Sequence, residues 1–144
     1  MDHGLHDVTA HVSHVTTAGV CKPCRWMAPE VLNPPEDPED DEMPLFSCTP
    51  QSDIYSLGMT LLEVITGLPP FSNRRYDSAV ILAVIGGAKP QRPDIPAMSD
   101  DGWDLMQDCW NFNAEQRLTA SGVERRLRAI FHMELSRSVI SDCR

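Results

Sequence analysis

Apolar positions along the chain gather into helical stretches separated by turn residues. The longest runs from Ser52 to Thr66, where Ile54, Tyr55, Leu57, Met59, Leu61, Leu62, Val64 and Ile65 point in nearly every direction around a 3.6-residue period. Such a pattern predicts a central helix buried on most sides. Ser52 is placed to cap its start, and Gly67 followed by Pro69 and Pro70 ends it. Three further helices are predicted. Tyr76 to Ile85 carries a broad apolar stripe and stops at Gly86 and Gly87. Ser99 to Trp110 opens on a Ser-Asp-Asp start and repeats Trp103, Met106 and Trp110. The last follows a capping Thr119, with Val123, Leu127, Ile130 and Phe131 at i, i+4, i+7 and i+8.

Between these stretches the chain reads as irregular. Lys89 to Pro96 holds three prolines and is expected to run extended. Met1 to Val20 is polar, rich in His and Thr, and without sustained period. Glu36 to Glu42 (EDPEDDE) follows Pro34 and Pro35 and is expected to be a solvated loop, because its charges repel and it has no apolar surface to bury. No hairpin signal and no internal repeat occur, so the expected fold class is mainly α.

Composition narrows the function classes. The net charge of −9 leaves no basic stripe to neutralise phosphates, which argues against a nucleic-acid partner. The most apolar run, Leu57 to Leu68, is interrupted by Glu63 and falls short of the ~20 residues of a membrane span. The start, MDHGLHD, has neither the basic region nor the apolar core of a signal peptide. Five cysteines, an odd number with no dense framework, suggest a reducing compartment. A soluble, intracellular protein is expected.

Two strings carry more. KPCRWMAPEVL spans Lys22 to Leu32, and SDIYSLGMTLLEVITGLPPF spans Ser52 to Phe71; DLMQDCW and EQRLTA follow at Asp104 and Glu115. Ala28-Pro29-Glu30 is a protein-kinase signature that follows the activation loop. The four strings, in this order, resemble the C-terminal lobe of a protein kinase domain, of the tyrosine or tyrosine-kinase-like group, over about Lys22 to Leu127. The resemblance implies the helical C-lobe portion of the kinase-like α+β fold, without its N-lobe sheet. Residues 1–21 would be an activation-segment remnant, 22–135 the partial kinase domain with the acidic loop at 34–50, and 136–144 a polar tail.

Family roles carry over residue by residue. Glu30 is expected to form a buried ion pair with Arg117, with Ala28 and Pro29 as structural neighbours. Asp53 stands where family members hold the backbone of the catalytic loop, and it is also an ordinary favourable helix-start charge. Pro23, Cys24, Arg25 and Trp26 fall on the loop that shapes the peptide-substrate site; Trp26 can equally anchor the core beneath the next helix. Proline at position 23 resembles tyrosine kinases more than serine/threonine kinases. Thr16 and Thr17 stand where activation-loop phosphosites fall.

Phosphoryl transfer in this family needs ATP and magnesium, a Gly-rich loop, a strand lysine and two aspartates. The 144 residues contain no G-x-G-x-x-G and no His-Arg-Asp, and their two lysines, Lys22 and Lys89, sit in no plausible strand. These parts would precede Met1. Asp2-His3-Gly4-Leu5 stands where Asp-Phe-Gly-Leu is expected, which would make Asp2 a magnesium ligand; a chance match in a polar terminus is the other reading. Protein partners or protein substrates are implied, and the chain alone is expected to be inactive and to retain no cofactor.

Two other classes are open. His11-x-x-His14 and Cys21-x-x-Cys24 supply four ligands that zinc could gather tetrahedrally; a thioredoxin-like role for the cysteines lacks the surrounding strand and helix alternation. A non-catalytic interaction module would use the docking surfaces of a kinase C-lobe, on the helix after Phe71 and around the substrate loop. There the acidic segment could steer basic partners or be a surface insertion only. Because parts that cover the central helix in kinases are missing from the chain, its apolar surround is expected to be incompletely buried. The chain should therefore bind 8-anilinonaphthalene-sulfonate strongly; a cooperative melt without dye uptake would count against an open face.

Overall fold

The structure, a computed structural model, describes residues 22–34 and 48–142. It is mainly helical, and no strand occurs among the described residues. In chain order come the 3-10 helix η1 (Lys22–Trp26), α1 (Pro29–Leu32), α2 (Pro50–Thr66), α3 (Asp77–Ile85), α4 (Asp100–Cys109), the 3-10 helix η2 (Ala114–Gln116) and α5 (Ala120–Asp142).

The start of α2 lies earlier than the apolar pattern suggests. Thr49, not Ser52, is the N-cap. Its hydroxyl accepts the Ser52 amide at 3.1 Å while the Ser52 hydroxyl accepts the Thr49 amide at 2.9 Å, a reciprocal capping box. Pro50 at the first helical position is pre-set for the helix backbone and lacks the N–H that would otherwise need a partner. Ser52 thus moves from cap to third residue. At the other end Gly67 adopts φ +70° and donates its amide to the Glu63 carbonyl at 2.7 Å, a left-handed stop that disfavours other residues.

The core forms where η1 and α4 pack against α2, with α3 packed on η1 and α1. Ile54, Tyr55, Met59 and Leu62 of α2 are buried, together with Val80 and Val84 of α3, and Trp103, Leu105 and Met106 of α4. Val123 joins them from α5. The opposite side of α2 is open: Val64 is 75% exposed and Leu57 37%. The helix is therefore buried on one broad face rather than on most sides, because no described element lies against the Leu57–Val64 side.

Close approach of α2 to α4 depends on Gly58. A Cβ there would stand 2.6 Å from Trp110 Nε1 and 2.8 Å from Cys109 Cβ. Trp110 is fully buried and meets Trp103 edge to face at 5.6 Å. Burial, aided by the charge of Asp108, pushes the Cys109 thiol up to about 11, so it serves as an inert filler of this seam.

The remaining elements follow their local signals. Ser99 caps α4 by accepting the Gly102 amide at 3.1 Å, and Thr119 caps α5 by accepting the Gly122 amide at 3.2 Å. Residues 88–95 between α3 and α4 are irregular, as Pro90 and Pro93 within them and Pro96 just after dictate. α5 packs through Val123 and Ile130, then continues with every side chain from Phe131 to Ser138 exposed. Residues 136–142 are its last turns.

Gly58→Ala tests the seam. The added methyl must displace an indole that has no room to move, so a loss of about 1–3 kcal/mol is expected in urea unfolding followed by tryptophan fluorescence.

Candidate functional site

The segment from Pro23 to Leu32 is where the family-like residues converge. Ala28 is extended (φ −69°, ψ 153°) and fully buried, delivering the chain into α1 with Pro29 at its first position. Glu30, in the first turn, faces Arg117 from the far end of the chain. Arg117 donates from Nη1 to Glu30 Oε1 at 2.6 Å and from Nη2 to Oε2 at 2.8 Å, the two-pronged geometry that a guanidinium makes with a carboxylate. Its remaining donors reach backbone carbonyls: Gln51 at 2.9 Å, Asn111 at 2.8 Å and Phe112 at 3.5 Å. The Tyr55 ring lies 5.1 Å beneath the guanidinium carbon.

The Arg117 side chain is fully buried and that of Glu30 is 32% exposed. Burial by itself would raise the Glu30 carboxyl, but the hydrogen bonds and charge of Arg117, with the residue's own amide, outweigh it and hold the pKa below the ordinary carboxylate value. Burial pushes the Tyr55 phenol up, so the ring stays neutral against the cation.

Arg25 makes a second hub. Nε donates to Asp77 Oδ1 at 2.7 Å, Nη1 to the carbonyls of Pro70 (3.1 Å) and Phe71 (3.0 Å), and Nη2 to the carbonyl of Arg74 (3.0 Å). Phe71 sits at φ +55°, a left-handed conformation that costs a non-glycine residue about 1–2 kcal/mol. Arg25 bonds the carbonyls of Pro70 and Phe71, fixing the backbone there, and the buried Phe71 ring holds it from within. Trp26 is pinned as well: its Nε1 donates to Glu63 Oε2 at 3.0 Å and its carbonyl accepts the Ser56 hydroxyl at 2.9 Å. The glutamate that interrupts the apolar run of α2 is thus the partner of an indole.

Of the four residues expected on the substrate loop, Pro23 is exposed, Cys24 is fully buried, and Arg25 and Trp26 make bracing contacts. Asp53 lies exposed in the first turn of α2; its amide donates to the Thr49 carbonyl at 3.0 Å, and its carboxylate has no hydrogen-bond partner among the described residues. Asp2, His11, His14, Thr16, Thr17 and Cys21 lie outside the described residues. Asp77 and Glu63 were missing from the sequence-based site. Neither had a local signal, since each partner lies tens of residues away and the charges fit an exposed helix equally well.

Comparison with known proteins agrees with the geometry of this segment. A family model described as protein tyrosine and serine/threonine kinase matches residues 1–127. The chain is 32% identical over 114 residues to a light-sensor protein kinase of Ceratodon purpureus, covering 76% of the chain and 8% of that protein. It is 30% identical over 133 residues to the macrophage colony-stimulating factor 1 receptor of Danio rerio, covering 88% and 12%. To the human receptor-interacting serine/threonine-protein kinase 1 it is 30% identical over 118 residues, covering 81% and 16%. The chain belongs to the protein tyrosine and serine/threonine kinase family. It spans less than a quarter of the length of each of these three relatives.

Membership implies ATP and magnesium for a complete domain and protein as substrate. Among the described residues no three His, Cys, Asp or Glu side chains gather as a metal site, and no helix is long and apolar enough to cross a membrane.

Breaking the fork should be costly. Arg117→Ala is expected to lose about 3–5 kcal/mol in chemical denaturation, and Glu30→Gln less, because a third of Glu30 already meets water. The acid limb has a defined sign. A folded pKa below the unfolded value of about 4.3 contributes stability above that pH, lost as pH falls through the folded value. Arg117→Ala should flatten this part of the stability–pH curve, measured by urea midpoints between about pH 5 and pH 2.

Proposed function

We propose that this chain is the substrate-side part of a protein kinase domain, its helical C-lobe, of the tyrosine or tyrosine-kinase-like group. The observation that carries the reading is the Glu30–Arg117 fork, which ties the Ala-Pro-Glu segment to the approach to α5. In a complete domain this lobe would present a protein hydroxyl to the γ-phosphate of ATP. The 144 residues hold no Gly-rich loop and no His-Arg-Asp, so the chain alone transfers no phosphate. Pro23 is the exposed member of the substrate loop and would border the peptide, while Cys24, Arg25 and Trp26 set its position. Thr16 and Thr17 are the phosphosite candidates and Asp2 the candidate magnesium ligand of a complete domain.

A second reading is a non-catalytic docking module, favoured by the exposed side chains of Tyr76 and Leu82 at α3. The zinc reading has less support because Cys24 is fully buried within η1; His11, His14 and Cys21 lie outside the described residues.

Incubating the full 144-residue chain with radiolabelled ATP, magnesium and tyrosine- or serine-containing peptides should yield no labelled peptide. Transfer above the no-enzyme blank would overturn the inactivity of the lone chain.

A further inference from the structure

We propose that the start of α3, from Arg74 to Leu82, is a docking surface for an acidic protein segment carrying one apolar anchor. The proposal rests on the reading of α3 as a protein-docking helix and supplies the chemistry of its partner.

The charge pattern comes first. The chain carries 12 Lys and Arg against 21 Asp and Glu, so a cation is expected to find a carboxylate nearby. Arg25, Arg92, Arg117, Arg126, Arg128 and Arg137 all do so. Arg74 and Arg75 are both exposed and have no carboxylate partner among the described residues. The carboxylate next to them in sequence is diverted: Asp77 turns inward to Arg25 at 2.7 Å. The Arg74 carbonyl accepts from the same Arg25, so the backbone that presents the pair is fixed. Arg25 therefore both stiffens this loop and removes the anion that would have neutralised it.

Beside the pair lies uncovered apolar surface. The Arg75 guanidinium carbon is 5.7 Å from the Tyr76 ring centre, and Tyr76 is 64% exposed. α3 is apolar around most of its circumference, a composition expected of an enclosed helix. Yet it fully buries Val80 and Val84 only, and Leu82 is 73% exposed. Two unpaired guanidinia favour forked bonds to carboxylates, and Leu82 favours an apolar side chain. A basic segment would meet like charge. The chain's overall −9 does not cancel the local field, because charges beyond about 8 Å are screened at physiological salt.

The overall charge makes the test sharp, since an acidic peptide has no general reason to bind an acidic protein. The probe is a fluorescein-labelled Glu/Asp-rich peptide with a central Leu-Phe, titrated with the full chain and read by anisotropy. Binding should weaken with salt. It should fall roughly tenfold or more in Arg74→Glu with Arg75→Glu, and likewise in Leu82→Asp. Arg125→Glu, an exposed α5 arginine without a carboxylate partner among the described residues, should leave it unchanged. Circular dichroism melts of each variant separate lost binding from lost folding.

No binding, or equal loss in Arg125→Glu, would overturn the proposal. So would equal affinity for a single-stranded oligonucleotide. Tenfold tighter binding after the acidic residues of 36–42 are replaced by Gln would assign the surface to the chain's own acidic segment. A self-associated chain that becomes monomeric in Leu82→Asp would assign it to a second copy; either result overturns an external partner. Binding of the probe together with phosphate transfer to the tyrosine- or serine-containing peptides would keep the surface and overturn the inactivity of the lone chain. Neither binding nor transfer would overturn the surface and leave the kinase C-lobe reading standing.

Discussion

Arg117 reaches across 87 residues of chain to Glu30, and carbonyls from both sides close around the rest of its guanidinium. Apolar burial is non-directional: it presses α2, α3 and α4 together without saying how the segments between them should be aligned. The fork supplies that direction. It fixes α1 relative to the first turn of α2 through Gln51, and both relative to the chain leaving α4 through Asn111 and Phe112. A lysine could neutralise Glu30, but it could not bridge both carboxylate oxygens and three carbonyls from one rigid plane.

The neighbouring Arg25 applies the same chemistry with a different result. Its acceptors are mostly carbonyls of the loop between α2 and α3, so it holds a backbone shape rather than registering helices. Trp26, anchored to Glu63 and Ser56, fastens the other side of η1 to α2. With these two residues immobilised and Cys24 buried, Pro23 is presented on a rigid support.

What was legible in the sequence follows from the range of each interaction. Helices announce themselves through a 3.6-residue period and through caps a few residues away, so α2 to α4 and the start of α5 were predictable to within a few residues, whereas the last turns of α5 lie beyond the apolar pattern that ended at Phe131. The start of α2 was misplaced because Ser52 has cap chemistry, while Thr49-Pro50 lies outside the apolar run that draws attention. The exposure of Leu57 and Val64 was not legible from the helix alone, since periodicity describes a helix and not its neighbours. The Glu30–Arg117 pairing could be expected only through family resemblance. Arg25–Asp77 and Trp26–Glu63 had no spacing rule to reveal them, and both charges looked like ordinary helix decoration.

α5 packs on the core through part of its length only. Val123 and Ile130 fasten its first half, whereas from Phe131 to Ser138 its side chains meet solvent. The two halves are consequently held by different kinds of free energy. The first opens only with the core; the second rests on helix–coil equilibrium, with help from such local pairs as Glu134–Arg137. A single continuous helix thus spans a thermodynamic boundary, and its outer turns form a low-stability unit that can melt and re-form without disturbing the kinase-like core.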